Sequence, residues 1–200
     1  MIPLAEAATE VWPIRQRLRT QTRQAHEALE RVALLTELAG GSIRLPRYRQ
    51  YLQRMHSFHA ALDTPLIGRL PAAYTGQRLD QSARLARDLQ ALGAETVPAP
   101  QSLCQAADAL TRDPAAVWGV LYVLEGARLG SQVLLKRNAA NPGVRQAHAF
   151  IAGAGERTGW CWRDFCGLLE QSAASHDAQV LTVAATHTFA LLGEWLEDPP

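Results

Sequence analysis

The chain has few of the cysteines that hold together secreted or metal-stabilised domains. Cys104, Cys161 and Cys166 are the only three among 200 residues, and no two of them form a CxxC pair. An odd number without such pairs argues against a disulfide framework and against a structural zinc site. We therefore expect a reducing compartment, the cytoplasm.

Long apolar runs and an excess of either charge are also missing. No run approaches the roughly 18–20 apolar residues that a membrane-spanning helix needs, so no membrane partner is expected. Residues 1–10 carry Glu6 and Glu10 and no basic residue ahead of an apolar run, so we expect no secretory signal there. The formal net charge is +1, which is too small to attract nucleic acid, and no nucleic-acid partner is expected.

Hydrophobic residues recur at helical spacing along most of the chain, and no segment shows the alternation of a half-buried strand. A hydrophobic fraction of 48% and a charged fraction of 20% are ordinary for a globular protein. The sequence therefore predicts an all-α fold, a single-domain bundle of about eight helices over residues 14–197, preceded by an N-terminal tail over residues 1–13.

Capping and helix-breaking residues give approximate helix bounds. Asp113-Pro114 reads as an N-cap followed by proline at the first helical position. The helix that it opens is expected to be interrupted at Gly126 and Gly130. The other predicted helices cover 14–35 (with a stop near Gly40-Gly41), 46–70 (with a break at Pro65), 79–92 and 102–111, with two or three more after a turn at 141–143.

His26 stands at the edge of an apolar face of the first predicted helix. That face repeats at steps of three and four residues and consists of Leu18, Thr22, Ala25, Leu29 and Val32. A neutral imidazole on an apolar wall can be an axial ligand of haem iron, and Glu30, one turn later, can accept a hydrogen bond from its ring. Arg19, two turns earlier, could meet a carboxylate roughly 10 Å along the helix. A lone histidine on a helix is still more often a packing or surface residue.

The stretch from Trp118 to Leu135 contains two glycines, Gly126 and Gly130, inside a strong helical pattern. Each glycine costs about 1 kcal/mol relative to alanine in a helix interior. A kink, or the close approach of a flat ligand to bare backbone, would offset that cost. Close packing against another helix through small residues is an alternative that periodicity alone leaves equally open.

Two of these segments resemble motifs of the haem oxygenase family, most closely those of bacterial enzymes that accompany bacteriophytochromes. Residues 18–30, LRTQTRQAHEALE, are similar to the family's proximal-helix pattern L-[RK]-x-x-T-x-x-x-H-x-x-x-E. Residues 121–130, LYVLEGARLG, are similar to its distal-helix pattern LYVLEG-x-x-LG. Segments at 162–165, 169–170 and 185–189 are similar to its closing helices. The resemblance covers residues 18–196 and implies a haem-oxygenase-like multi-helical bundle.

By this resemblance His26 is the metal ligand and, with Gly126 and Gly130, belongs to the catalytic site. Glu30 is expected to hydrogen-bond the ring of His26. The two glycines are expected to let the distal helix approach haem and flex as substrate and product exchange. Arg19 is expected to meet a haem propionate.

The resemblance also implies that Arg163 meets a propionate and that Phe189 contacts the haem pocket. The cofactor-binding positions include two departures from the family pattern. Ala127 stands where many animal and plant relatives have an aspartate that orders water, although bacterial relatives lack that aspartate too. Ser131 stands where a second glycine is common, and its side chain would crowd the haem or add a hydroxyl to a water network. Arg128 is also a bulky, charged residue of the distal segment, and the sequence does not place its side chain.

The implied activity is the oxidative opening of haem, as both cofactor and substrate, to biliverdin with release of CO and iron. The reaction needs O2 and an external reductant, an electron-donor protein such as ferredoxin or a reductase, because the chain has no flavin or nicotinamide motif. The resemblance further implies that the bilin supplies a bacteriophytochrome.

Other interpretations remain open. Ala127 and Ser131 keep open a non-enzymatic haem-binding or haem-delivery protein on the same fold. A di-iron relative needs Glu-x-x-His pairs, which the chain lacks, and a thiamine-degrading relative needs a cysteine nucleophile, which no motif supports. A helical interaction module would leave His26 as a core residue. His56 and His59, three residues apart, are expected at the surface.

Overall fold

Eleven α-helices and one short 3-10 helix occur in the computed structural model within the residues that it describes, 13–71, 74 and 80–197, and these ranges contain no β-strand. The predicted all-α fold is confirmed. Apart from Pro13, the predicted N-terminal tail lies outside the described residues. The helices are α1 (Pro13–Gln21), α2 (Arg23–Glu30), α3 (Ala33–Ala39), α4 (Leu45–Ile67), α5 (Gln81–Ala91), α6 (Gln101–Leu110), α7 (Pro114–Arg137), α8 (Pro142–Gln146), α9 (Ala149–Ala152), α10 (Thr158–Ala173) and α11 (Ala178–Glu197).

The number of helices exceeds the predicted eight mainly because the first segment is not one helix. Instead of a continuous helix over 14–35, the chain forms α1, α2 and α3. At the first junction the Thr22 hydroxyl donates a hydrogen bond to the Leu18 carbonyl, at 2.8 Å, and such back-bonding bends helices. At the second junction Val32 is extended, with ψ of 133°. These breaks turn His26 into a residue of a separate two-turn helix.

Two expected interruptions are absent. Helix α4 continues through Pro65 to Ile67, where proline removes one hydrogen bond from the last turn only. Helix α7 runs unbroken through Gly126 and Gly130, and neither glycine has a positive φ. Glycine permits a helix as well as a turn, and the buried apolar residues that precede Gly126 supply packing that stabilises α7.

Helix α7 forms the centre of the bundle and crosses α11 closely. A Cβ atom at Gly119 would lie 2.2 Å from the Leu181 carbonyl oxygen, so only glycine allows this approach. At the start of α7, the Asp113 carboxylate accepts a hydrogen bond from the Ala115 amide at 2.7 Å, which confirms the predicted N-cap. Helix α1 is held against α10 because the Glu170 carboxylate accepts two of its backbone N–H groups.

The ends of α3 and α7 also meet. Gly41 follows α3 with φ of 74°, and a Cβ there would lie 2.7 Å from the Arg137 carbonyl oxygen. The predicted stop near Gly40-Gly41 is therefore confirmed, and glycine is required for it. Among the described residues, no helix combines the length and the apolar character needed to cross a membrane.

Candidate functional site

A cavity of about 500 Å³ lies between α2 and α7 and is closed by parts of α3, α4, α9, α10 and α11. Its volume falls within the roughly 300–1,000 Å³ of small-molecule sites. Most of its walls are aliphatic or aromatic, with a small number of polar groups. Seven of the nine residues predicted for the site line this cavity: His26, Glu30, Gly126, Ala127, Gly130, Ser131 and Phe189.

Helix α2 brings His26 to one wall. About half of its side chain is accessible, and its ring stands edge-on to the Phe189 ring of α11, with centroids 5.4 Å apart and planes at 75°. The Nδ1 atom of His26 lies 3.7 Å from a carboxylate oxygen of Glu30. That distance is too long for a hydrogen bond, so the expected partner is adjacent but not bonded. The contact with Phe189 is what orients the imidazole here.

Helix α7 forms the opposite wall with its glycines. A Cβ atom at Gly130 would meet nothing within 4 Å, and one at Gly126 would meet only the Trp162 ring, at 3.8 Å. Neither glycine is required by packing between helices, so the small-residue alternative does not explain them. They leave bare backbone facing open space, which leaves room for a flat ligand to approach α7.

The two departures from the family pattern lie on this same wall. Ala127 is exposed to the cavity side and contributes no polar side-chain atom. The Ser131 hydroxyl donates to the Ala127 carbonyl at 2.9 Å, so its proton is used within α7. Ser131 is itself buried. Ala127 and Ser131 therefore bring no carboxylate and no free hydroxyl proton to the cavity.

The two arginines that were predicted to bind the haem carboxylates lie outside the cavity lining. Arg19, near the end of α1, and Arg163, on α10, are exposed and do not line the cavity. Among the described lining residues, the one arginine or lysine is Arg137, whose Nη1 donates to the Ala39 carbonyl at 3.1 Å. Sequence reasoning missed Arg137, although it lies two helical turns after Gly130 on the same side of α7.

Other lining residues were missed as well. Tyr122 and Trp162 stand inside segments already singled out, and their rings pack with centroids 5.8 Å apart. Burial raises the pKa of Tyr122, an effect that the nearby Thr22 side chain partly offsets. Tyr51 of α4 also lines the cavity, and burial raises its pKa further. Both phenols stay protonated at neutral pH and can donate hydrogen bonds.

No motif or spacing in the sequence indicated that Phe150 lines the site. It lies in the one-turn helix α9, whose first backbone N–H groups, those of Ala149 and Phe150, both donate to the buried Asp88 carboxylate at 2.8 Å. A carboxylate at a helix N-terminus is favoured by the helix dipole. Asp88 of α5 thus positions the start of α9, which places Phe150 at the cavity. This contact joins residues about 60 positions apart and depends on tertiary structure.

The geometry does not support the two alternative chemistries, a cysteine nucleophile and a di-iron site. None of the three cysteines lines the cavity, and burial raises the pKa of Cys166 to about 11. No cluster of three or more histidines, cysteines or carboxylates suited to a metal occurs among the described residues. The expected surface position of His59 is wrong: it is buried, and burial, with Arg128 and His56 nearby, lowers its pKa to about 3.

Comparison with known proteins identifies the family of this chain. The family model described as "Heme oxygenase" matches residues 13–198. A heme oxygenase of Xanthomonas campestris pv. campestris is 31% identical over 160 residues, which cover 76% of this chain and 88% of that protein. The heme oxygenase structure from Leptospira interrogans superposes with a TM-score of 0.78 at 17% identity, covering 92% and 98% of the two chains.

A second structure with the same fold is heme oxygenase-2 from Synechocystis sp. PCC 6803, in complex with heme and NO. Its TM-score is 0.74 at 18% identity, with coverage of 92% of this chain and 83% of that one. At these identities the structures show the fold. The family follows from the family model, which matches nearly the whole chain. The chain belongs to the haem oxygenase family.

Proposed function

We propose that the protein is an enzyme that opens haem to biliverdin, CO and iron, using O2 and electrons from an external donor. The observation that carries this proposal is the pairing of an accessible imidazole, His26, with the side-chain-free backbone at Gly126 and Gly130 across one apolar cavity. A ligand that is flat, apolar and metal-bearing fits that pairing. The complex of a structural neighbour with heme and NO supports the same ligand.

Each wall has its own task in this proposal. His26 holds the iron, and the edge of Phe189 fixes the plane of its ring. Bound haem supplies the redox-active iron that reacts with O2. Gly126 and Gly130 admit the macrocycle close to the backbone of α7, and the aromatic rings around the cavity keep bulk water out. Tyr51 of α4, protonated and buried, lines the cavity and is a hydrogen-bond donor there.

The haem carboxylates need cationic partners, and we propose Arg137 as one of them. It is the arginine that lines the cavity among the described residues, and a guanidinium binds a carboxylate through two parallel hydrogen bonds. Arg19 and Arg163 remain proposals as partners at the exposed rim. Because the carboxylates sit on one edge of haem, the arginine that holds them decides which meso carbon faces the α7 wall.

We also propose the cellular setting that the motif resemblance implies. The protein would work in the cytoplasm and receive electrons from a ferredoxin or a reductase. Its bilin product would serve a bacteriophytochrome. These proposals rest on the likeness of residues 18–30 and 121–130 to bacterial relatives. A pull-down of the donor by the haem-loaded protein, with the haem-free protein as control, tests the electron-donor part.

The role of His26 can be tested with a matched pair of variants. His26→Ala should lose the absorbance spectrum of histidine-ligated hemin and its turnover, and added imidazole should restore part of both by occupying the vacated space. His187→Ala, on the exposed side of α11, removes a histidine that does not line the cavity. If His26→Ala keeps the wild-type spectrum and turnover, His26 is not the ligand and the proposal fails.

A further inference from the structure

A buried polar cluster lies directly beside the glycine wall. Glu125 and Arg128 belong to the same turn of α7 as Gly126, but neither lines the cavity. Their side chains are 3% and 11% exposed, and a guanidinium nitrogen of Arg128 lies 3.3 Å from a carboxylate oxygen of Glu125. The Tyr74 hydroxyl donates to that same oxygen at 2.7 Å.

The cluster ties α7 to other parts of the fold. Tyr74 comes from the connection between α4 and α5, and its ring stands edge-on to Phe165 of α10, with centroids 6.3 Å apart. On the α4 side, the buried His59 lies close enough to Arg128 for their charges to interact. The turn that contains Gly126 is therefore held by a hydrogen bond from the connection between α4 and α5.

Stability alone gives little reason for such a cluster. Burying an ion pair seldom stabilises a fold more than apolar side chains of the same size would. The pair also stands beside Gly126 and two residues before Gly130, and glycine has a low helix propensity. A satisfied hydrogen-bond network in that place restricts the backbone to one position.

We propose that Tyr74, Glu125 and Arg128 are positioning residues that fix how far the segment Gly126–Gly130 projects into the cavity. They also place one negative and one positive charge in the same turn of α7 as Gly126, which lines the cavity. The consequence for haem rests on the proposed function, whereas the consequence for the backbone of α7 does not. The two parts are therefore tested separately.

The first test is amide hydrogen exchange in the haem-free protein. Tyr74→Phe removes only the hydroxyl that donates to Glu125, and Glu125→Gln keeps the shape while removing the charge. The matched control is Tyr48→Phe, which removes an equally buried hydroxyl that donates to the Ala147 carbonyl and does not line the cavity. We expect exchange over Gly126–Gly130 to accelerate about tenfold in the first two variants, with the start of α7 unchanged. Equal exchange in this segment for Tyr74→Phe and Tyr48→Phe overturns the proposal.

The second test measures the reduction potential of hemin bound to each variant. Removing the negative charge with Glu125→Gln should raise the potential, and removing the positive charge with Arg128→Met should lower it. Mere loosening of the fold would move both potentials the same way, and that result overturns the placement of the charges. If wild-type protein fails to bind hemin, the proposed function fails, while the exchange experiment still decides the positioning role.

Discussion

Replacing glycine by alanine along α7 should change stability with opposite signs at different positions. At Gly130 an added methyl group meets no atom within 4 Å, and at Gly126 it meets Trp162 at an ordinary 3.8 Å. Alanine stabilises a helix interior by about 1 kcal/mol relative to glycine. Gly130→Ala should therefore raise the free energy of unfolding of the haem-free protein by about 1 kcal/mol, and Gly126→Ala by a similar amount.

Gly119 provides the control on the same helix. A methyl group there would stand 2.2 Å from the Leu181 carbonyl oxygen and 2.9 Å from the Ala185 amide nitrogen. The backbones of α7 and α11 must separate to admit it, and such overpacking costs about 1–3 kcal/mol or more. Urea denaturation of the three haem-free variants should thus rank Gly130→Ala above wild type and Gly119→Ala well below it.

Hemin binding separates stability from function at Gly130. The methyl group that stabilises α7 also occupies cavity space, so Gly130→Ala should bind hemin about tenfold more weakly, a loss of roughly 1.4 kcal/mol. An absorbance titration with hemin measures this. A variant that is stabilised and binds hemin as tightly as wild type would refute the placement of haem against Gly130. A destabilised Gly130→Ala variant would refute the open space around a Cβ atom at Gly130.

Three further predictions concern the surroundings of the cavity. Because the pKa of His59 is about 3 in the folded protein and about 6.5 when unfolded, the unfolded chain takes up the proton first. Stability is therefore lost as pH falls below about 6.5, and wild type should lose about 2 kcal/mol more than His59→Phe between pH 7 and pH 5 in urea titrations. Asp88→Ala should lower the free energy of unfolding by about 2–3 kcal/mol and weaken hemin binding severalfold. The reason is that the backbone N–H groups at the start of α9, including that of Phe150, lose their hydrogen-bond acceptor. Unchanged hemin binding would show that the position of Phe150 does not depend on this contact. Arg137→Met should raise the hemin dissociation constant about tenfold and alter the ratio of biliverdin isomers; an unchanged dissociation constant and isomer ratio would show that Arg137 does not hold the carboxylates.

Much of the fold follows from local signals in the sequence. Asp113 caps α7 as expected because its side chain bonds an amide only two residues away, and the stop after α3 needs the glycine that the sequence supplies. The junctions within the first segment could not be read in this way. They depend on the rotamer of Thr22 and on the extended backbone of Val32.

The site residues that belong to motifs could be predicted from the sequence. His26, Gly126 and Gly130 are about a hundred residues apart, and the fold brings them to one cavity. Arg137 and Phe150 could not be placed because their positions depend on contacts with other helices. His59 was misjudged because α4 is buried on nearly every side, with eleven of its 23 residues in the core, so it lacks the exposed face that a surface histidine needs.

The central claim is tested most directly by a single turnover of the purified protein loaded with equimolar hemin, with ascorbate, O2 and catalase, followed by extraction of the products. We predict that the strong near-ultraviolet band of haem is lost and that biliverdin appears in stoichiometric yield. Haem that binds and stays intact under the same conditions would contradict the enzymatic claim and identify the protein as a haem carrier.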